Sequence, residues 1–173
     1  MTTAPAPVLL VDALNVAYWC GAPPTLRLPL GLAIGLLGQG SCVGLVFDAS
    51  AGYQLPASEH AVYTQLLQSP ALALQVPSGH SADRQLLTQA KAMKAAVISR
   101  DRFRQHRRKF RSIVGSPTRS LSGGVMGDQI HVPQLGLSCP LPADIDQAWA
   151  AWRTLGAKLE QQGALDSRGA DPA

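Results

Sequence analysis

The chain has 173 residues and a mass of 18.2 kDa, with 46% hydrophobic and 15% charged residues. That length suits one domain with a single sizeable core, and the composition excludes wholesale disorder. No apolar run reaches the roughly 18 residues of a membrane span, and residues 1–7 lack the positive charge that precedes the apolar stretch of a secretory signal.

Residues 1–6 are small and Pro-containing, and a frayed end is expected there. The apolar run at 7–11 (PVLLV) predicts a buried strand. Apolar residues at helical spacing over 25–40 predict a helix, weakened by Pro29 and its glycines. A second strand is expected at 42–47 (CVGLVF). An amphipathic helix is expected over 58–68, turning Ala61, Val62, Leu66 and Leu67 inward. The run at 72–76 predicts a third strand. Residues 81–93 predict a helix with Ser81 as its cap and Asp83 in the first turn. A fourth strand follows at 95–99, then a helix over 101–111 and an apolar pair, Ile113 and Val114. Gly-Gly and Gly-Asp within 121–133 predict a hairpin or edge strand. A last helix, over 144–162, carries Trp149, Trp152 and Leu155, and the polar residues 163–173 are expected to be disordered. Strands alternating with helices mean βαβ units, and near-continuous apolar strands mean a parallel sheet covered on both faces. The expected class is α/β, with one domain over 7–135 and a helical C-terminal extension over 136–162.

Cys20, Cys42 and Cys139 are widely spaced and odd in number, which argues against a disulfide framework or a structural zinc site and for a reduced, cytoplasmic setting. Charge is concentrated. Residues 100–111 (RDRFRQHRRKFR) hold seven basic side chains and one Asp, while the remainder holds eight basic and ten acidic residues. A focused basic patch points to a polyanion, with nucleic acid the first candidate. On a helix, Arg104, Arg108 and Arg111 would share one face and Phe103 and Phe110 another, the phenylalanines serving as core.

Before residue 128 there are only five carboxylates, Asp12, Asp48, Glu59, Asp83 and Asp101. Asp12 closes the first strand, Asp48 the second, and Asp101 follows the fourth. In open α/β sheets the functional crevice lies at these strand ends. Short acids converging there make the hard, oxygen-rich site that Mg2+ or Mn2+ requires, and such an ion can activate water against a phosphodiester. Each Asp taken alone is also an ordinary helix cap. Other chemistries fit poorly. The chain has no GxGxxG after its first strand, no P-loop and no GxSxG elbow, and His60, His80, His106 and His131 are dispersed.

Residues 8–18 (VLLVDALNVAY), 80–87 (HSADRQLL) and 95–106 (AAVISRDRFRQH) together resemble the NYN branch of the PIN-like nucleases. The order is Asp-x-x-Asn after the first strand, an acid at the start of the third helix, and Ser-x-Asp after the fourth strand. The nearest resemblance is to Regnase (MCPIP-type) ribonuclease domains, over about 7–135 and including GVMGDQIHVPQLG. VFDAS and SAD are also similar to YacP-type NYN ribonucleases. The resemblance implies a single-domain, PIN-like three-layer sandwich with a mostly parallel sheet, acting as a metal-dependent endoribonuclease on RNA, single-stranded RNA in particular. It implies Asp12, Asp83 and Asp101 as catalytic and metal-binding acids, Asn15 and Ser99 as site-lining residues, and Mg2+ or Mn2+ as cofactor; Asp48 is a further candidate metal ligand on topology alone, since its strand end reaches the same crevice. Arg100, Arg102, Arg104, Arg107, Arg108 and Arg111 are the candidate RNA-binding residues, and a homo-oligomer is left open. Such domains carry a second acid where Ala82 stands and another where Gln105 stands. Two rival readings remain: an NYN domain that binds RNA or a ribosome without cutting, and a phosphatase or nucleotide hydrolase on a Rossmann-like sheet, which would not need the basic stretch.

Overall fold

The computed structural model describes residues 6–69 and 72–161. Of the loose ends expected at 1–6 and 163–173, all but Ala6 lie outside the described residues, as does Gln162, expected to end the last helix. Five short strands form a wholly parallel sheet: β1 (Val8–Asp12), β2 (Cys42–Phe47), β3 (Ala73–Gln75), β4 (Ala96–Ile98) and β5 (Ser120–Leu121), in the order β3-β2-β1-β4-β5. The register sets Asp12 beside Val46 and Val11 beside Ile98. Side chains alternate between two cores, as the pleat requires. Leu9 and Val11 enter one, and Leu10, between them, enters the other.

The first core lies under α1 (Ala13–Ala17), α2 (Arg27–Gly38) and α4 (His60–Leu66). A four-residue helix, α3 (Ala51–Gln54), and a 3-10 turn at Ala57–Glu59 lead from β2 into α4. The second core lies under α5 (Ala82–Ala92) and the segment carrying Phe103, Phe110, Ile113 and Val114. The expected α/β sandwich is therefore formed, with its central sheet covered on both faces.

Past β5 the chain forms an antiparallel sheet, β6 (Gly124–Met126), β7 (Gln129–Val132) and β8 (Leu137–Pro140), and then α6 (Ile145–Gln161). The expected hairpin is β6–β7, and β8 adds a third strand beyond residue 135. Leu121, placed by sequence at the head of the hairpin, belongs instead to the parallel sheet. Ile130, Val132, Leu137, Ala148 and Trp152 join the first core. Gly35 makes this layer possible. A Cβ there would stand 2.5 Å from Cys139 Sγ, so only glycine lets β8 lie against α2.

Two expectations are corrected. Residues 101–111 do not form a helix; a single 3-10 turn at Arg104–His106 is followed by tight turns that close through Phe110. Phe103 is left-handed, with φ of 47°, which no helix accommodates. Asp101 Oδ1 accepts a hydrogen bond from the Phe103 amide at 2.9 Å, a local turn that competes with helix formation. Arginines four apart, such as Arg104 and Arg108, would also repel on a helix. Ala61 is exposed, and Tyr63 and Leu66 carry the buried face of α4. Glu59, which the sequence left without a role, is 6% exposed and anchors the start of α2. Its carboxylate accepts from Thr25 Oγ1 and from the Leu26 amide, both at 2.7 Å.

Candidate active site

Because β1, β2 and β4 run parallel, their C-terminal ends open on one edge. Asp12 is the last residue of β1, Asp48 follows β2, and Ser99 to Asp101 follow β4. The chain returns from β3 along that edge and enters α5 there. Ser81 caps the helix, its Oγ accepting from the Arg84 amide at 3.2 Å, and Asp83 occupies the first turn. The edge therefore gathers Asp12, Asp48, Asp83 and Asp101 around one mouth.

Ser99 joins two of them. It is buried, its hydroxyl donates to Asp12 Oδ2 at 2.7 Å, and the same oxygen accepts from the Asp101 amide at 3.0 Å. One hydroxyl thus fixes the Asp12 carboxylate and the turn that carries Asp101. Burial pushes the Asp12 carboxyl from 3.8 up to about 6. The Ser99 hydroxyl and the Asn15 backbone amide pull it back in part, and the charges of Asp83 and Asp101 push it further up. Asp83 is raised as well, first by burial and then by Asp101 and Asp48, with His106 opposing. The carboxylates feel one another's charge across the mouth.

Asp48 is held on its own side. Its Oδ1 accepts from the Ser50 amide at 2.8 Å and from the Ser50 hydroxyl. The chain of bonds continues outward. Gln54 Nε2 donates to Ser50 Oγ at 2.6 Å, and the Tyr18 hydroxyl donates to Gln54 Oε1 at 2.7 Å.

Asn15 acts as a brace between β1 and β4. Its Oδ1 accepts from the Arg100 amide at 2.9 Å and from Trp19 Nε1 at 3.3 Å. The Arg100 guanidinium is engaged too. Its Nε donates to the Gly123 carbonyl at 2.9 Å, and the group lies 5.1 Å from the centre of the Trp19 ring. A Cβ on Gly123 would fall 2.2 Å from the His131 carbonyl oxygen and 2.8 Å from Trp19, so this junction requires glycine. Arg100 thus ties the β4 loop to the antiparallel sheet.

The other arginines divide. Arg102, Arg104 and Arg107 line a cleft of about 890 Å3 with Ser99, Asp101 and Ser122. Arg102 and Arg104 also border a cleft of about 400 Å3 with Asp83, Asp101 and His106. Arg108 and Arg111 are exposed and line neither. Phe103 and Phe110 are core, as expected, at 3% and 1% exposure.

Sequence reading missed Trp19, Ser50, Gln54 and His106. Trp19 stands four residues after Asn15, a helical spacing that places both on one side of α1 and its last turn, and that signal was legible. Ser50 bonds to Asp48 and Gln54, two and four residues away, a spacing that was also legible, whereas the partner of Gln54 Oε1, Tyr18, comes from a distant segment and left no mark in the local pattern.

The fold has known counterparts. Structures of the nuclear proteinaceous, or protein-only, RNase P 2 (PRORP2) of Arabidopsis thaliana superpose with TM-scores of 0.58 and 0.57 at 14% and 12% identity. They match 72% and 75% of this chain. This is a PIN-like fold. The chain spans 29% and 30% of the length of those two structures, so the likeness concerns a part of each. No family model and no curated protein matches the sequence.

The donors suit a hard cation. They are carboxylate oxygens whose mutual repulsion and partial burial a divalent ion would relieve. Among the described residues, no three acidic, His or Cys groups stand close enough to form a complete protein cage. Mg2+ does not need one. It dehydrates reluctantly and is commonly held by one or two carboxylates, waters and substrate phosphate oxygens. Among the described residues, no helix is long and apolar enough to cross a membrane.

Proposed function

We propose that this chain is a Mg2+- or Mn2+-dependent endoribonuclease of the NYN type, akin to Regnase and YacP ribonucleases, acting on RNA in a reduced, cytoplasmic setting. The observation that carries the reading is the Ser99 bridge between Asp12 and the Asp101 turn, facing Asp83 and opening into the cleft lined by Arg102, Arg104 and Arg107. Of Asp12, Asp83 and Asp101, one or two would touch the ion and the remainder would act through its waters, with Asp48 assisting from the neighbouring strand end. A bound ion lowers the pKa of water and offsets negative charge on the scissile phosphate. The protein does the rest. Ser99 holds Asp12 in one orientation, and its acceptance of the Asp101 amide fixes where the second carboxylate begins. The arginines grip flanking phosphates through their planar donor forks. The depth of Asp12 limits competing solvent, so charges in the mouth act more strongly than they would in water.

Cleavage of RNA by the purified protein, in Mg2+ or Mn2+ and after chelation, tests this. Activity should require the ion. Asp12→Asn, Asp83→Asn and Asp101→Asn should each lose more than the roughly 10–100-fold that removal of a supporting group costs. Asp48→Asn should fall within that range, since Ser50 already claims one of its oxygens. Undiminished cleavage after chelation, or by folded Asp12→Asn, would break the reading. The loss of acids at Ala82 and Gln105, where NYN domains of the Regnase type carry them, favours one rival, an RNA- or ribosome-binding domain without cleavage. RNA binding with no cutting in either metal would establish it.

A further inference from the structure

The two sides of the mouth differ in charge. No Lys or Arg occurs between Arg27 and Arg84. That stretch builds most of α2 together with β2, α3, α4 and β3, so the entire β2 side of the mouth lacks the cations that bind phosphate. It carries exposed aromatic surface instead. Tyr53, on α3, is 94% exposed, and Tyr18, at the end of α1, is 36% exposed. A singly exposed side chain needs no explanation on a protein surface. These two are distinguished by their attachment. The Tyr18 hydroxyl is bonded to Gln54, Gln54 to Ser50, and Ser50 to Asp48 at the mouth, so its ring is tied to the rim of the mouth through two side chains. Tyr53 neighbours Gln54 on the same four-residue helix.

Resting on the ribonuclease reading above and on single-stranded RNA as its substrate, we propose that Tyr18 and Tyr53 form a stacking platform that holds the unpaired nucleobases of the bound strand. Every base has a π-face, and aromatic side chains hold bases by stacking whatever their sequence. Paired bases in an A-form helix are stacked on one another and present no free face, so only splayed or single-stranded nucleotides use such a platform. The strand then crosses the sheet edge with opposite parts on opposite sides. Its phosphates lie towards Arg102, Arg104 and Arg107 beyond β4, and its bases turn towards the tyrosines beyond β2. Adjacent strands are about 5 Å apart, so the edge from β2 to β5 spans on the order of 15 Å, enough for a few nucleotides.

The test is equilibrium binding by the full chain, in chelator to prevent cleavage, of three probes: a short single-stranded RNA of mixed sequence, the same strand with abasic sugars, and the same strand annealed to its complement. Wild type should prefer the intact single strand. Tyr18→Ala and Tyr53→Ala should each weaken that binding by about 5- to 150-fold, the range for removal of one base–aromatic stack. Neither should change binding of the abasic strand. Tyr53→Trp should restore affinity, and the salt dependence should stay as in wild type, because the arginines still hold the phosphates. Equal weakening on intact and abasic strands, unchanged binding of the intact strand by both alanine variants, or equal wild-type affinity for the duplex would each overturn the platform. These outcomes are separate from the cleavage test, since metal-dependent cutting with no tyrosine dependence sinks only this proposal. Tyrosine-dependent binding without cutting sinks only the nuclease.

Discussion

On the β4–β5 side of the mouth, Ser99 pins Asp12 and the turn of Asp101; on the β2 side, Ser50 pins Asp48. Each flank thus uses a serine hydroxyl to hold a carboxylate, but what surrounds it differs. Beyond Asp101 the chain runs through irregular turns that bury Phe103 and Phe110 and leave Arg102, Arg104 and Arg107 along a cleft. Beyond Asp48 a single turn of helix leads outward through Gln54 to tyrosines, with no cation in that stretch of sequence. On the proposed reading, one flank serves electrostatic attraction and the other contact with flat, uncharged groups. A uniformly basic rim would attract any polyanion in any orientation, whereas this arrangement gives a strand a phosphate side and a base side.

The sharpest way to break the contrast is to reverse the charge of one flank. Arg102, Arg104 and Arg107 changed together to Glu should lower RNA affinity by orders of magnitude. The slope of log affinity against log salt should shrink by about 0.7 for each phosphate of the single strand that is no longer neutralised. The pair Arg108→Glu and Arg111→Glu, which border neither cleft, should do much less. Binding titrations at several salt concentrations decide it, and equal effects from the two sets would mean that the cleft is not the path of the backbone.

A smaller effect concerns what holds the arginine flank in place. Phe103→Ala should destabilise the fold by roughly 3–5 kcal/mol, as for other buried aromatic truncations. Because the ring anchors the turns that follow Asp101, the folded fraction should also bind RNA less well. Denaturant unfolding, with binding measured below the transition, checks both. A stable variant would show that the segment is fixed by its backbone bonds alone.

The smallest change is in pH dependence and lies where the flanks meet. Asp12 titrates at about 6 in the folded chain against 3.8 ordinarily. A raised folded pKa means that the folded state holds the proton more tightly. The resulting stability is present in full below about 4 and is lost as pH rises to about 6. At pH 7 the fold therefore forgoes about 3 kcal/mol that it would have with Asp12 protonated. In chelator, thermal unfolding of wild type should show this decline between about pH 4 and 6, and Asp12→Asn should show much less of it. Mg2+ at pH 7 should raise the wild-type Tm and leave that of Asp12→Asn nearly unchanged. Superimposable curves for the two proteins would mean that Asp12 is neither buried in charged form nor bound to the ion.

Four of the five parallel strands were legible because they lie in apolar runs of five or six residues, which burial on both faces explains, whereas the two-residue β5 is too short to leave such a run. The acids were legible because a parallel sheet brings its strand ends to one edge, so a position in sequence becomes a position at the mouth. Ser81 was recognisable as a cap because its hydrogen bond spans three residues. Residues 101–111 misled for the opposite reason. Their spacing of phenylalanines and arginines fits a helix, but the competing interactions are a turn at Asp101 and the burial of two rings beneath the sheet. A periodic pattern says nothing of how deep a ring must reach.

By itself, then, the sequence determined the α/β class, the parallel order of burial, the acids at the strand ends and the location of the basic stretch. All of these follow from interactions between near neighbours or from one-dimensional hydrophobic pattern. Tertiary structure alone decided that Ser99 bridges Asp12 and the Asp101 turn, that Glu59 anchors α2, that Arg100 is drawn against Trp19 and Gly123, and which arginines border the clefts. Each of these joins segments far apart in the chain. Such pairings cost loop-closure entropy and are repaid only once the surrounding core excludes water, so no local pattern of residues encodes them.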